Sequence, residues 1–276
     1  DTNTGNRYAN FVVNQNNKVM QTEYSRLSDS QWFIIQPLLN NNKPRKHCLR
    51  QVIDAIRFLV RTGMQWRNLD EAKGPFPPWQ SVYYYFRKWT KNNTMQLIMN
   101  TLTSQERKRQ NRESTPSLLI VDSQSVKLAP FIWQSRGIDG NKKVNGRKRH
   151  IFTDTLGLPW AVYVGPANQH DGEAGLELLP KADKIGVERL TTIRADNAYR
   201  GVFKDASEWY GWETDTTQRP SEQKGFVPEK NRWQVERTFG WLNFYRRLSV
   251  DYERTPESSE SMLALVAIDI ILARLA

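Results

Sequence analysis

Cysteine is almost absent: Cys48 is the only one in 276 residues. A lone cysteine excludes an intrachain disulfide framework and any multi-cysteine zinc site, so a reducing compartment is the simpler setting. Cys48 stands just before an apolar helical pattern, where packing is a simpler role than that of a nucleophile. No uninterrupted apolar run reaches membrane-spanning length, and the C-terminal MLALVAIDIILARLA is broken by Asp269 and Arg274. The opening shows no signal-peptide pattern, starts on Asp1 rather than Met, and is Asn-rich to about residue 22 without further structural signal.

What the chain has in excess is positive charge: 40 Lys and Arg against 29 Asp and Glu, a net +11 with a pI near 9.7. That balance points to a polyanionic partner, of which nucleic acid is the commonest; the alternative is a merely basic, solvated surface. Hydrophobic content of 38% and charged content of 25% suit a soluble globular protein, and the length can bury a sizeable core in two domains.

Residues 25–100 read as helical. Ser28 with Gln31 forms a capping box for a first helix, and Pro37 marks its end. Leu49, Val52, Ile53, Ile56, Leu59 and Val60 follow the i, i+3, i+4, i+7 rule for a second helix, with Gly63 as its stop. Pro78 opens a third, whose buried side uses Trp79, Val82, Tyr83 and Phe86 and whose other side offers Gln80, Ser81, Tyr84, Arg87 and Lys88. Three short helices with a basic, aromatic last member resemble a helix-turn-helix module, although any small helical bundle gives the same pattern.

The polar, charged stretch 104–116 ends in proline and reads as a linker. Beyond it come β-like runs at 117–123, 149–155 and 160–164, a helix at 176–184, a strand at 190–195, a helix at 202–210 and a strand at 212–217. Helices at 231–248 and 256–275 close the chain. Three hairpin-joined strands followed by alternating helix and strand give the order of a ribonuclease-H-like fold. The expected class is therefore mixed α/β (α+β). A ribonuclease-H-like domain at 117–276 follows a small all-helical, helix-turn-helix-like DNA-binding domain at 23–103, the linker, and an extension at 1–22.

Three acidic islands stand out: LLIVDSQSVK, TTIRADNAYRG and RWQVERTFGWL. Asp122 and Asp196 each lie at or just past the end of an apolar strand, and Glu236 shares a helix face with Arg232, Trp233, Phe239 and Gly240. Three converging carboxylates repel one another unless a cation lies between them. Oxygen-only ligands favour a hard ion such as Mg²⁺. Taken singly, each aspartate is better read as a capping or turn residue.

Together with LSDSQW, FLVRTGMQWRNL, PPWQSVYYYFRKW, GRKRHIFTDTLG, NFYRRL and DYERTPESSE, these islands resemble the bacterial DDE transposases of the insertion-sequence-five family from about residue 27 onward. The resemblance implies that Asp122, Asp196 and Glu236 form a catalytic triad binding two Mg²⁺ ions, with Mn²⁺ as a substitute. Those ions would stabilise the attacking and leaving oxygens of an in-line phosphodiester displacement. It implies double-stranded DNA partners, namely terminal inverted repeats and target DNA, a homodimer on DNA, no membrane, and a bacterial cytoplasm. Related families carry a Tyr, Arg, Glu, Lys series around the glutamate. Arg232 and Glu236 match it, whereas Glu229 and Asn243 stand at the Tyr and Lys positions, so Arg246 and Arg247 are the substitutes for gripping the terminal phosphate.

The basic block Arg136, Lys142, Lys143, Arg147, Lys148 and Arg149 is expected to flank the metal site as a DNA-backbone clamp, against the alternative of a solvated loop. His150 is expected to orient a neighbour, His170 to cap a helix or support the site, and Asp154 and Asp171 to have ordinary turn and helix-start uses. Trp133, in a polar loop, is the tryptophan placed to stack on a DNA base. A nuclease without strand transfer and a non-catalytic DNA-binding derivative are the competing functions.

Overall fold

The computed structural model describes residues 26–39, 44–72, 74–216 and 233–275. Helix α1 (Asp29–Ile35) starts at the expected capping box, with Gln31 N donating to Ser28 Oγ and Ser28 N donating to Gln31 Oε1, both at 3.1 Å. Helix α2 (Leu49–Thr62) buries its apolar stripe and stops at Gly63, whose φ of 73° is left-handed and inexpensive for glycine. Helix α3 (Trp79–Lys91) turns Val82, Phe86 and Trp89 inward and leaves Gln80, Tyr84, Arg87 and Lys88 exposed, with Ser81 half-buried.

The stretch read as a linker is helical as far as Arg109, in helix α4 (Thr94–Arg109). Its polar composition misleads because Glu106 and Arg107 are buried. The Arg107 guanidinium lies 2.6 Å from buried Asp154, and Thr103 Oγ1 donates to the Pro159 carbonyl at 3.1 Å. Polar side chains with partners across the fold build a core helix as readily as a loop.

The sheet comprises β1 (Leu118–Lys127), β2 (Gly137–Asp139), β3 (Val144–Thr153), β4 (Pro159–Pro166), β5 (Thr192–Ala195) and β6 (Glu213–Thr216). β3 lies antiparallel between β1 and β4, β1 is parallel to β5, and β5 is parallel to β6. The main order is β4-β3-β1-β5-β6, with β2 extending the β4 edge of β3. The second strand begins at Val144 rather than 149, so Arg147, Lys148 and Arg149 of the basic block lie within a central strand.

Alternation along the strands sends each set of side chains to one face. Leu119, Val121, Phe152, Trp160 and Ile193 pack with Leu179, Ala182 and Phe203 from helices α6 (Leu179–Ile185) and α7 (Val202–Trp209), which follow the short helix α5 (Asp171–Gly175). Ile120, Ile151, Val162 and Val164 face a second core built from helices α8 (Trp233–Asn243) and α10 (Pro256–Leu275). That core also contains Val52, Ile56, Phe86 and Leu102 of the N-terminal helices, so helices and sheet share one apolar interior.

The helix expected over 231–248 is interrupted. α8 ends at Asn243, Tyr245 is extended, and a short α9 (Arg246–Ser249) follows. The break lets the Tyr245 hydroxyl donate to buried Asp269 at 2.7 Å, with Arg61 over the Tyr245 ring. Among the described residues, no helix is long and apolar enough to cross a membrane.

Candidate active site

Parallel pairing of β1 with β5 sets Ile120 opposite Arg194. Asp122 and Asp196 both follow this paired stretch, Asp122 within β1 and Asp196 just past the end of β5. β5 ends at Ala195, so Asp122 stands where β1 loses its parallel neighbour and continues beside β3 alone. Asp122 Oδ1 accepts from Ser123 N at 2.7 Å. Asp196 caps the short 3-10 turn Asn197–Tyr199, with Oδ1 accepting from Ala198 N at 2.9 Å. Both carboxylates are half-buried.

Beneath them lies Tyr199, a residue the sequence reading passed over although NAY directly follows Asp196. It is fully buried, with its hydroxyl 3.0 Å from His150 Nδ1. Burial, and then the negative charges of Asp171, Asp122 and Asp196, hold this phenol well above the usual tyrosine range. His150 thus orients a neighbour, as expected. Its own pKa is pushed down to about 3, chiefly by burial, with Lys148 and Lys142 adding and Asp171 opposing. Lys148 is itself paired with Asp171 at 2.8 Å, and His170 Nδ1 accepts from Gly172 N as the cap of α5. Asp154 has the structural use foreseen for it, accepting from Leu156 N, Leu158 N and Trp160 Nε1.

A depressed histidine pKa sets a pH dependence of stability. The unfolded chain takes up the His150 proton near 6.5 and the folded chain only near 3, so this contribution is complete above 6.5 and declines as the pH falls toward 3. Its slope is at most about 1.4 kcal/mol per pH unit. Comparison with His150→Gln between pH 6.5 and 5 isolates the His150 contribution. Urea midpoints of the native chain should fall across that interval, and those of His150→Gln should fall less.

Glu236 lies on the exposed side of α8, a helix packed on β1 and β3. Thr238 Oγ1 donates to the Gly157 carbonyl at 2.7 Å and Arg237 Nη2 to that of Leu156 at 2.9 Å. Gly157 permits this approach, because a Cβ there would meet Arg237, Thr238 and Gln234 at 3.0 to 3.2 Å. Arg237 also stacks between Trp233 and Trp241, at 4.3 and 4.6 Å from their centroids. Among the described residues, no three His, Cys, Asp or Glu side chains stand close enough to hold a metal ion together. The negative charges of Asp122 and Asp196 both act on Tyr199, and Glu236 stands on α8, the helix packed on β1 and β3. Two adjacent half-buried carboxylates are an all-oxygen donor set, which suits a hard divalent cation.

Half of the expected DNA clamp is buried, namely Arg147, Lys148 and Arg149. Arg147 is fully enclosed, 3.3 Å from Asp251 and donating to the carbonyls of Glu253, Arg254 and Gln134. Arg149 donates to the Leu248 carbonyl at 2.8 Å, and Lys148 is buried against Asp171. Their partners lie far off in sequence, so the strand could not be told from a solvated loop. Arg247 is also buried, paired with Glu253 at 2.8 Å, and is corrected from a phosphate contact to an internal one. Arg246, Lys142 and Lys143 are exposed, Arg136 is half-exposed, and Arg232 lies outside the described residues.

The sheet and its aspartate pair define a mixed α/β protein with a carboxylate site where two adjacent parallel strands part. The chain belongs to the family described as "Transposase DDE domain", which it matches over residues 113–270. Residues 27–99 match a second family, "Putative transposase of IS4/5 family". A relative from Burkholderia cepacia, "Putative transposase for insertion sequence element IS402", is 31% identical over 133 residues, covering 44% of this chain and 60% of the relative. The chain thus spans about three fifths of the length of that curated relative. Two solved structures are distantly similar. The Mos1 transposase paired-end complex with left transposon end is 14% identical, with 67% of this chain and 65% of that one covered, at a TM-score of 0.25. The Mos1 strand transfer complex is 11% identical, with 97% and 89% covered, at a TM-score of 0.27. Scores this low carry no structural argument.

Proposed function

We propose that the chain is the transposase of an insertion sequence, binding the element's terminal inverted repeats, cutting the DNA there and joining the ends to target DNA. The observation that supports the reading is that Asp122 and Asp196 follow the paired stretch of β1 and β5 at corresponding positions, in a chain of the DDE family. On this reading Asp122 and Asp196 hold a divalent cation with Glu236 as third ligand, and two Mg²⁺ ions, or Mn²⁺ in their place, serve the site. A cation there supplies charge stabilisation to the displaced and attacking oxygens. The ribonuclease-H-like assignment of the sheet and the helix-turn-helix assignment of the N-terminal helices belong to the same proposal, as does a homodimer on DNA. In it, Gln80, Ser81, Tyr84, Arg87 and Lys88 on α3 read the end sequence, while Arg136, Lys142, Lys143 and Arg246 meet phosphates. Arg232 is assigned to the terminal phosphate. The test is an assay pairing a donor end with a target: end cleavage and joined product with Mg²⁺ support the reading, whereas cleavage without joining identifies a nuclease.

The exposed lysines make a quantitative prediction. Each phosphate neutralised on duplex DNA steepens the fall of log K with log salt by about 0.9. Lys142→Ala with Lys143→Ala should reduce that slope by up to about 1.8 and weaken all sequences alike. Tyr84→Ala should weaken the end sequence alone, and competition binding at two salt concentrations separates the two outcomes.

A further inference from the structure

The loop after β1 is held with unusual care for a surface segment. Ile132 is buried with Leu128 and Ala129, while its flanking neighbours Phe131 and Trp133 are 70% and 78% exposed. Ala129 N donates to the Asp251 carbonyl at 2.9 Å, and Ile132 N to that of Ala129 at 3.0 Å. Arg136 donates to the carbonyls of Ala129 and Ile132 at 2.7 Å, with its guanidinium 5.5 Å from the Trp133 centroid. Buried Arg147 holds the Gln134 carbonyl at 2.8 Å. Two arginines are thus used to fix a loop whose large rings point into water, the opposite of what burial of apolar surface favours.

We infer that this loop is a stacking platform for an unpaired DNA base, with Trp133 as the principal ring and Phe131 beside it. The inference rests on the proposed function. Rigid aromatic rings beside cationic side chains are the chemistry that takes up single-stranded nucleic acid, because every base has a π-face. The surrounding charge fits. Lys127, Lys142, Lys143 and Arg254 are exposed, while the nearby carboxylates Asp139, Asp251 and Glu253 are buried. Arg136 backs one face of Trp133, adding cation–π polarisation to the stack. Position fits as well. From Asp122 to Lys127, β1 runs on the order of 17 Å at about 3.4 Å per residue.

The full chain is titrated with a blunt duplex and with the same duplex carrying a single-stranded extension that contains 2-aminopurine. Stacking should quench the unpaired probe. Trp133→Ala should abolish the quench and weaken the extended probe about tenfold, leaving the blunt duplex unchanged. Trp133→Phe, which keeps a ring, should retain most of the quench. The salt slope should be unaltered in both variants, since no charge is removed. Equal quenching by native chain and Trp133→Ala overturns the inference. So does an equal loss on both probes, or a shift from dimer to monomer in sedimentation with the quench intact, which would make the rings a contact between copies. Binding of neither probe by the native chain overturns the proposed function itself.

Discussion

Asp196→Asn should leave the chain folded and DNA-bound while lowering metal-dependent cleavage by more than about 100-fold. That bound follows because loss of a residue that merely supports a metal ligand already costs about 10- to 100-fold, and here the charged ligand itself goes. The amide can still accept from Ala198 N, so the 3-10 turn that Asp196 caps keeps its hydrogen bond. Asp122→Asn should behave alike, with Ser123 N still satisfied. Isothermal titration with Mn²⁺, run beside gel assays of cleavage and end binding, separates lost metal from lost DNA. Near-native cleavage by either variant would remove that residue from the site.

The second large effect concerns folding. Asp269 is buried in α10, within 2.6 Å of Arg57 and 2.9 Å of Arg61 from α2, and it accepts the Tyr245 hydroxyl at 2.7 Å. Burial pushes its pKa up, but Arg57 and Arg61 outweigh burial and hold it below the ordinary carboxylate value. Its stabilising contribution is therefore present above about pH 4 and is lost as the pH falls through that depressed value. Asp269→Ala removes the carboxylate that three partners share and leaves arginine buried, which costs about 3–5 kcal/mol. Against a total stability of about 5–15 kcal/mol, thermal denaturation should show a large loss or no native state. A chain beginning at Ser114 should fare no better. It loses Arg57 and Arg61 together with the apolar surface of α2, α3 and α4 that covers α10. A cooperative melt from that fragment would show the sheet and C-terminal helices to be self-sufficient.

These expectations differ from those of sequence alone, and the reason is physical. The apolar stripe of α2, its Gly63 stop and the capping box at Ser28 were readable because each is a local pattern. The same is true of Asp122 and Asp196, each marked by an apolar run that ends on a carboxylate. What sequence could not give were pairings made at long range. Arg147 meets Asp251 at a separation of 104 residues, and Arg57 meets Asp269 at 212. Without those partners a buried arginine resembles a surface one, which is how β3 came to resemble a phosphate clamp and α4 a linker. Tyr199 was missed because an aromatic residue in a short polar turn gives no periodic signal. Glu236 was legible as a helix residue from the i±3 and i±4 spacing around it.

The anchor at Asp269 gives the protein a fixed gauge. Through Arg57 it grips the helix that leads into α3, and through Tyr245 it grips the turn that ends the helix carrying Glu236. On the proposed function, the surface reading the DNA end and the helix serving the cut are therefore parts of one stiff lever rather than beads on a string. The number of base pairs between recognised sequence and broken bond is then set by the protein's interior. An element that gained or lost a base pair in that interval would be bound as before and cut out of place.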